Sequence, residues 1–257
     1  MLEFITVPFT NALLFIYSLI GQNFALAIIL FTILVRLATY PFTASQMKSA
    51  HKMQEMQSSK KWQDIQKKYK NDREKLAQEQ MKLYQELGVN PLGSCLPTLI
   101  QLPIIFALYY AVTRALAAAP LQLLQLAQTI GLPNASELIP LNSQFLWMDL
   151  GQPERLYLSF LPGFGIPVLA IVVTITSYLQ TKLTMPQMAT DGQAAGMSQM
   201  MNIYMPLLMG YISYTLSAGL AIYFLTSNVA GILQSAFMGR MDWKRLLPSR
   251  KAPASKK

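Results

Sequence analysis

From Gly192 to Gly239 the sequence contains no Asp, Glu, Lys or Arg, and this run constrains the fold more than any other feature. A spanning helix needs about 20 mostly apolar residues to cross about 30 Å of hydrocarbon. The run is too long for one span, and Ser217-Ala218-Gly219 divides it, because glycine and small polar residues punctuate helices. Two spans follow, over 200–216 and 217–239. Three further regions qualify: Phe24–Phe42, apolar except for Arg36; the uncharged Cys95–Thr113; and the uncharged Leu156–Thr181. They predict spans over 23–43, 92–114 and 156–182. The composition, 53% hydrophobic and 13% charged, stands against roughly 45–50% and 25% in soluble domains. That is too much apolar surface for one water-soluble core. The expected fold is all-α and integral to the membrane, with five transmembrane helices.

Charge sets the orientation. The net charge of +9 is concentrated between Lys48 and Lys82 and after Gly239, so both segments are expected in the cytoplasm, where Lys and Arg accumulate. The outer loop, 115–155, then holds Arg155 as its basic residue against Glu137, Asp149 and Glu154. The connection 183–199 and the basic tail 240–257 fall inside, the N-terminus outside. Residues 1–22 carry a short apolar run, Ala12–Ile20, interrupted upstream by Pro8, and read as an outer interfacial amphipathic helix. A sixth span would put the N-terminus inside with no Lys or Arg before Arg36, against the charge bias. A cleaved signal peptide is not expected, since there is no basic n-region or A-x-A site.

Residues 44–91 are charged yet periodic. Trp62, Ile65 and Tyr69 recur at helical spacing, then after Asn71-Asp72 come Leu76, Leu83, Tyr84 and Leu87, which predicts a cytoplasmic antiparallel helical hairpin stopped at Gly88. Met47, Met53 and Met56 near its base are either packing residues or a soft surface for varied partners. In the tail, Arg240, Lys244, Arg245, Arg250, Lys251, Lys256 and Lys257 attract an anionic partner, ribosomal RNA or acidic lipid.

A charge at the centre of a spanning helix costs about 2.5–3.5 kcal/mol on the lenient insertion scale, so Arg36 demands compensation. Thr32, Arg36, Thr39, Tyr40 and Thr43 share one helix face at spacings of three and four. Gln101, Gln180, Asn228 and Gln234 are the polar residues of the other spans, most of them in the cytoplasmic half. Together they suggest a water-filled groove open to the cytoplasm. The alternative is that the amides tie helices together and Arg36 snorkels to the inner headgroups. No H-E-x-x-H, G-x-S-x-G or G-K-[ST] pattern occurs, and one histidine and one cysteine, His51 and Cys95, give no metal-ligand spacing. Neither covalent catalysis, nucleotide hydrolysis, a metal nor a cofactor is expected.

Three segments carry a family resemblance. "NPLGSCLPTLIQLPIIFALY" (90–109) resembles the entry into the second core helix of the YidC/Oxa/Alb insertases, "SAGLAIYFLTSNVAGILQ" (217–234) their last core helix, and "LVRLATYPFTASQMKSAHKM" (34–53) their first, with its embedded arginine. The matches lie in family order with a basic hairpin between the first two. The resemblance implies an insertase of the short form, without a large periplasmic domain. Its five helices would surround a positively charged groove open to cytoplasm and lipid and closed to the outside, with Arg36 as the groove arginine. It implies nascent membrane proteins as clients, with the ribosome, the Sec translocon and the bilayer as partners. Where the family often has Trp after the Tyr of the last helix, Phe224 stands here. Cys95 lies within a span and is no lipid-anchor cysteine. A bacterial plasma membrane is favoured, or a thylakoid in a cyanobacterium.

Overall fold

In the computed structural model, residues 3–69, 72–88, 96–116, 141–157, 165–184 and 200–239 are described. They form helices α1 (Glu3–Leu19), α2 (Phe24–Ala38), α3 (Tyr40–Ser58), α4 (Lys60–Lys68), α5 (Arg73–Glu86), α6 (Leu96–Ala115), α7 (Val168–Thr184), α8 (Met205–Thr215) and α9 (Ala218–Phe237). Met200–Tyr204 form a π-helical turn leading into α8. Two short antiparallel pairs lie between α6 and α7: β1 (Gln144–Phe145) with β2 (Met148–Asp149), and β3 (Leu156–Tyr157) with β4 (Gly165–Ile166).

The bundle core is apolar and continuous. Leu13, Leu14 and Tyr17 of α1, Phe24, Ala25 and Ile28 of α2, Leu108 and Val112 of α6, Val173 of α7 and Leu220 of α9 are buried in one cluster. α1 runs antiparallel along α2, with Phe9 edge-on to Phe31 at 5.5 Å and Tyr17 edge-on to Phe24 at 5.8 Å. Within the 1–22 expected as an outer interfacial helix, the structure has α1, packed lengthwise against α2 and α6 as part of the bundle rather than as a separate surface helix. Asn23 caps α2, its side chain accepting from the Leu26 amide at 3.1 Å, as an N-cap asparagine does.

Among the described residues, α9 is the one helix long and apolar enough to cross a membrane by length and composition. α2 with the first half of α3 passes the same test as a pair bent by 56°. The bend falls at Thr39, just before Pro41, where the missing N–H interrupts the helical ladder. Thr6–Leu19 and Val168–Thr184 are shorter apolar helices. The helix expected to begin at Leu156 begins instead at Val168. Pro167 precedes that start, and a residue before proline is driven out of the α region, which leaves Ile166 extended and paired with Leu156.

The charged segment forms three helices, α3 to α5, with a break at Ser59. Ser59 ends α3 and caps α4, accepting from the Trp62 amide at 3.3 Å. α4 and α5 then pack Trp62, Leu83 and Tyr84 around Met56, with Ile65 and Leu76 against them. Asp72 caps α5 through the Lys75 amide at 3.1 Å, and that hydrogen bond holds its carboxyl below the ordinary aspartate range. Gly88 follows the helix at φ +60°, the left-handed stop that glycine allows.

Candidate functional site

Near the α3-proximal ends of the bundle, α2, α7 and α9 bring polar groups together inside an otherwise apolar stack. Arg36 sits in the last turn of α2. Its Nε donates to the Ser227 hydroxyl at 3.1 Å, and its Nη2 donates to the same oxygen. Two turns further along α9, Gln234 Nε2 donates to the Arg36 carbonyl at 3.0 Å. Ser227 and Gln234 stand seven residues apart, hence on one face of α9. Three hydrogen bonds thus pin α2 to α9.

Across from them Asn228 Nδ2 donates to Thr176 Oγ1 at 3.1 Å and to Ser177 Oγ at 2.7 Å, tying α9 to α7. Gln180, one turn further along α7, lies against Gly231. A Cβ at position 231 would meet Gln180 Nε2 inside van der Waals contact and stand 3.6 Å from Arg36 Nη1. The absence of a side chain there is what lets the Gln180 amide approach α9 next to the guanidinium.

Arg36, Gln180, Asn228 and Gln234, expected as groove residues, are therefore assembled at one junction. Thr32 is buried and donates to the Ile28 carbonyl at 2.6 Å, while Thr39 donates to Val35 at 2.8 Å; both hydroxyls are spent on their own helix. Gln101 lies on α6, and its side chain is outside the described residues. Of the hairpin methionines, Met47 reaches α9, its sulfur 3.9 Å from Ser235 Oγ. Met56 is buried within the hairpin core and presents no surface to a partner in this arrangement, the packing alternative of the two. Met53's side chain and the basic residues of the tail, 240–257, lie outside the described residues. Ser227, Gly231, Thr176 and Ser177 were not singled out from the sequence.

The electrostatics of the junction are lopsided. The ion pairs of Lys61 with Glu86, Lys75 with Asp72 and Lys82 with Glu79 all lie in the hairpin and are at least partly exposed. Arg36 has a neutral hydroxyl and no carboxylate partner among the described residues, and Gln234 Oε1 is buried without a hydrogen-bond partner among them. A cation held in an apolar bundle without a carboxylate among its described neighbours is costly. It can bind an anionic or hydrated group at little further cost. No cluster of His, Cys, Asp or Glu among the described residues could hold a metal ion.

The family model of the 60Kd inner membrane protein matches residues 15–245. This chain belongs to that family. A Fusobacterium nucleatum member, named membrane protein insertase YidC, is 38% identical over 216 residues, covering 84% of this chain and 86% of that protein. A Clostridium perfringens YidC is 36% identical over 240 residues, 92% of this chain and 84% of the relative. The Bacillus subtilis insertase MisCA is 30% identical over 259 residues, 99% and 85% respectively. Family members also come longer: a Chlorobaculum tepidum YidC, 32% identical over 245 residues, is covered over 37% of its length. The expectation drawn from residues 34–53, 90–109 and 217–234 is thus met at the level of the family.

Proposed function

We propose that this chain is a membrane protein insertase and chaperone, which places nascent proteins in the bacterial plasma membrane through a cytoplasm-open groove containing Arg36. It acts alone or with the Sec translocon and performs no covalent chemistry. The observation that carries this reading is the Arg36 junction: a guanidinium inside an apolar bundle, bonded to Ser227 and to no carboxylate among the described residues, with the Gln234 amide on the Arg36 carbonyl.

In this reading five spans place the N-terminus outside and the hairpin, the 183–199 connection and the tail inside. α1 dips beside α2 from the outer side past the level of Phe31, which is itself about 10 Å below Phe24 at 1.5 Å per residue, as a re-entrant helix. An emerging hydrophobic segment meets the hairpin base near Met47 and slides between helices, while its polar flank rests near Arg36. The segment then partitions into lipid, driven by roughly 25 cal/mol per Å² of apolar surface buried. The groove lowers the cost of moving the flank, which would otherwise cross hydrocarbon without hydrogen bonds. The basic tail recruits the ribosome, whose RNA supplies the complementary charge.

Reconstitution tests it. Vesicles holding only the purified chain, given a single-span substrate with a short N-terminal tail, should protect that tail from external protease, and empty vesicles should not. An assembly scaffold would protect nothing on its own, and a transporter would move a small anion without protecting the tail. Either result rejects the reading.

A further inference from the structure

The connection between β1 and β2 ends in an apolar point. Gln144 pairs with Asp149 and Phe145 with Met148, so Leu146 and Trp147 alone make the turn. Leu146 has φ +56°, at the first central position of a two-residue hairpin turn, which normally takes glycine. A leucine held in glycine's conformation is also 73% exposed, and Trp147 next to it is 49% exposed. Local backbone preference and solubility both argue against this pair, and neither side chain packs into the core.

The turn is firmly mounted. Met148 and Leu150 are buried, and Phe145 packs against the core. The Leu150 and Gln152 carbonyls accept from the Gly219 and Ala218 amides at 3.0 and 2.8 Å, capping the start of α9. Buried Glu154 accepts from Trp147 Nε1 at 2.9 Å and from the Leu169 amide at 3.0 Å, at the start of α7. The indole's one donor is therefore satisfied inside the protein, and its exposed ring needs no water. Close by, Arg155 stacks on Tyr214 at 4.4 Å and donates to its hydroxyl at 2.8 Å, while Tyr157 is exposed. An apolar tip, tyrosines and one arginine at the ends of spanning helices match the chemistry of the headgroup layer, where aromatic rings collect and cations meet phosphate. The tip also continues an apolar surface: β1 contacts α2, whose Leu26 and Leu30 are exposed.

We propose that Leu146 and Trp147 insert into the outer lipid surface at the headgroup–acyl boundary, with Arg155 at the level of the phosphates. The proposal rests on the outer placement of 115–155 in the reading above. It makes this hairpin the anchor that holds the outer ends of α7 and α9 at a fixed depth while the inner ends work on substrate.

The test uses the full chain with Trp62→Phe and Trp243→Phe, leaving Trp147 as the sole indole, in vesicles of phosphatidylcholine brominated high on the acyl chain. Trp147 fluorescence should be quenched by the bromolipid and largely protected from aqueous acrylamide. Leu146→Gly suits the turn's backbone, so it should keep or raise the melting temperature in detergent, yet lose most of the bromolipid quenching. Full acrylamide access without bromolipid quenching would overturn the proposal and leave a protein as the occupant of the tip. A cysteine at Ser136 in a Cys95→Ser background isolates the underlying reading: labelling by an impermeant reagent from outside supports the outer placement, and labelling only from the cytoplasmic side rejects that placement whatever the quenching shows.

Discussion

Arg36→Ala should lose most insertion of a substrate whose translocated tail is acidic, at unchanged levels of folded protein, whereas Arg36→Lys should keep much of it. Opposite unit charges about 4 Å apart attract by ~4 kcal/mol at an effective dielectric near 20, before desolvation. If about 1.4 kcal/mol of that survives, alanine costs tenfold. The geometry favours tolerance of lysine. The guanidinium directs two nitrogens at one neutral hydroxyl, Ser227, which an ammonium can also reach, and no carboxylate among the described residues demands the planar fork. A neutral tail should suffer less in Arg36→Ala. The readout is the protease-protected fraction for each variant and tail charge. Equal losses for both tails would leave Arg36 a hydrating or structural role, and failure of lysine alongside alanine would mark a guanidinium-specific clamp.

The second large effect is expected where α8 crosses α7. A Cβ at Gly210 would overlap Thr174 Oγ1 and approach Thr174 Cβ to 3.2 Å and the Ala170 carbonyl to 3.6 Å. Thr174 cannot easily turn away, because its hydroxyl donates to that carbonyl at 2.8 Å. Small residues at such crossings let backbones approach, and packing of this kind drives helix association in lipid, where hydrophobic burial contributes little. Gly210→Ala should therefore destabilise by about 1–3 kcal/mol, the usual cost of overpacking, read as a lower melting temperature in detergent. Thr174→Ala should restore part of it, since the two sites share one space and their effects are not additive. A Gly210→Ala protein as stable as the original, or one unaffected by adding Thr174→Ala, would contradict the packing.

What could be read in advance was what composition decides. α9 (Ala218–Phe237) falls inside the predicted 217–239, because an uncharged run ending at small residues leaves few alternatives. The hairpin's buried Trp62, Leu83 and Tyr84 followed from helical spacing. Residues whose meaning depends on a neighbour were harder. Ser227 and Gly231 resemble ordinary small residues of an apolar helix, although with Gln234 they repeat at four and three on one face. Thr32 looked like a groove residue, but a helical threonine commonly bonds the carbonyl four residues back, and here it does. In the sequence Glu154 is one acid of an expected outer loop. It is buried, joining Trp147 to the start of α7, a role fixed by how the loop folds back on the helix start, which no periodicity encodes.

The central claim is that a client's polar flank passes beside Arg36. A photo-crosslinker at position 180, within the polar junction, should capture the tail of a substrate arrested during insertion, and one at Ile171, exposed on the same helix, should capture lipid or the hydrophobic segment instead. Tail adducts from position 180 that disappear once insertion is complete are the predicted result. Adducts of equal yield from both positions, or none from position 180 while insertion proceeds, would contradict it.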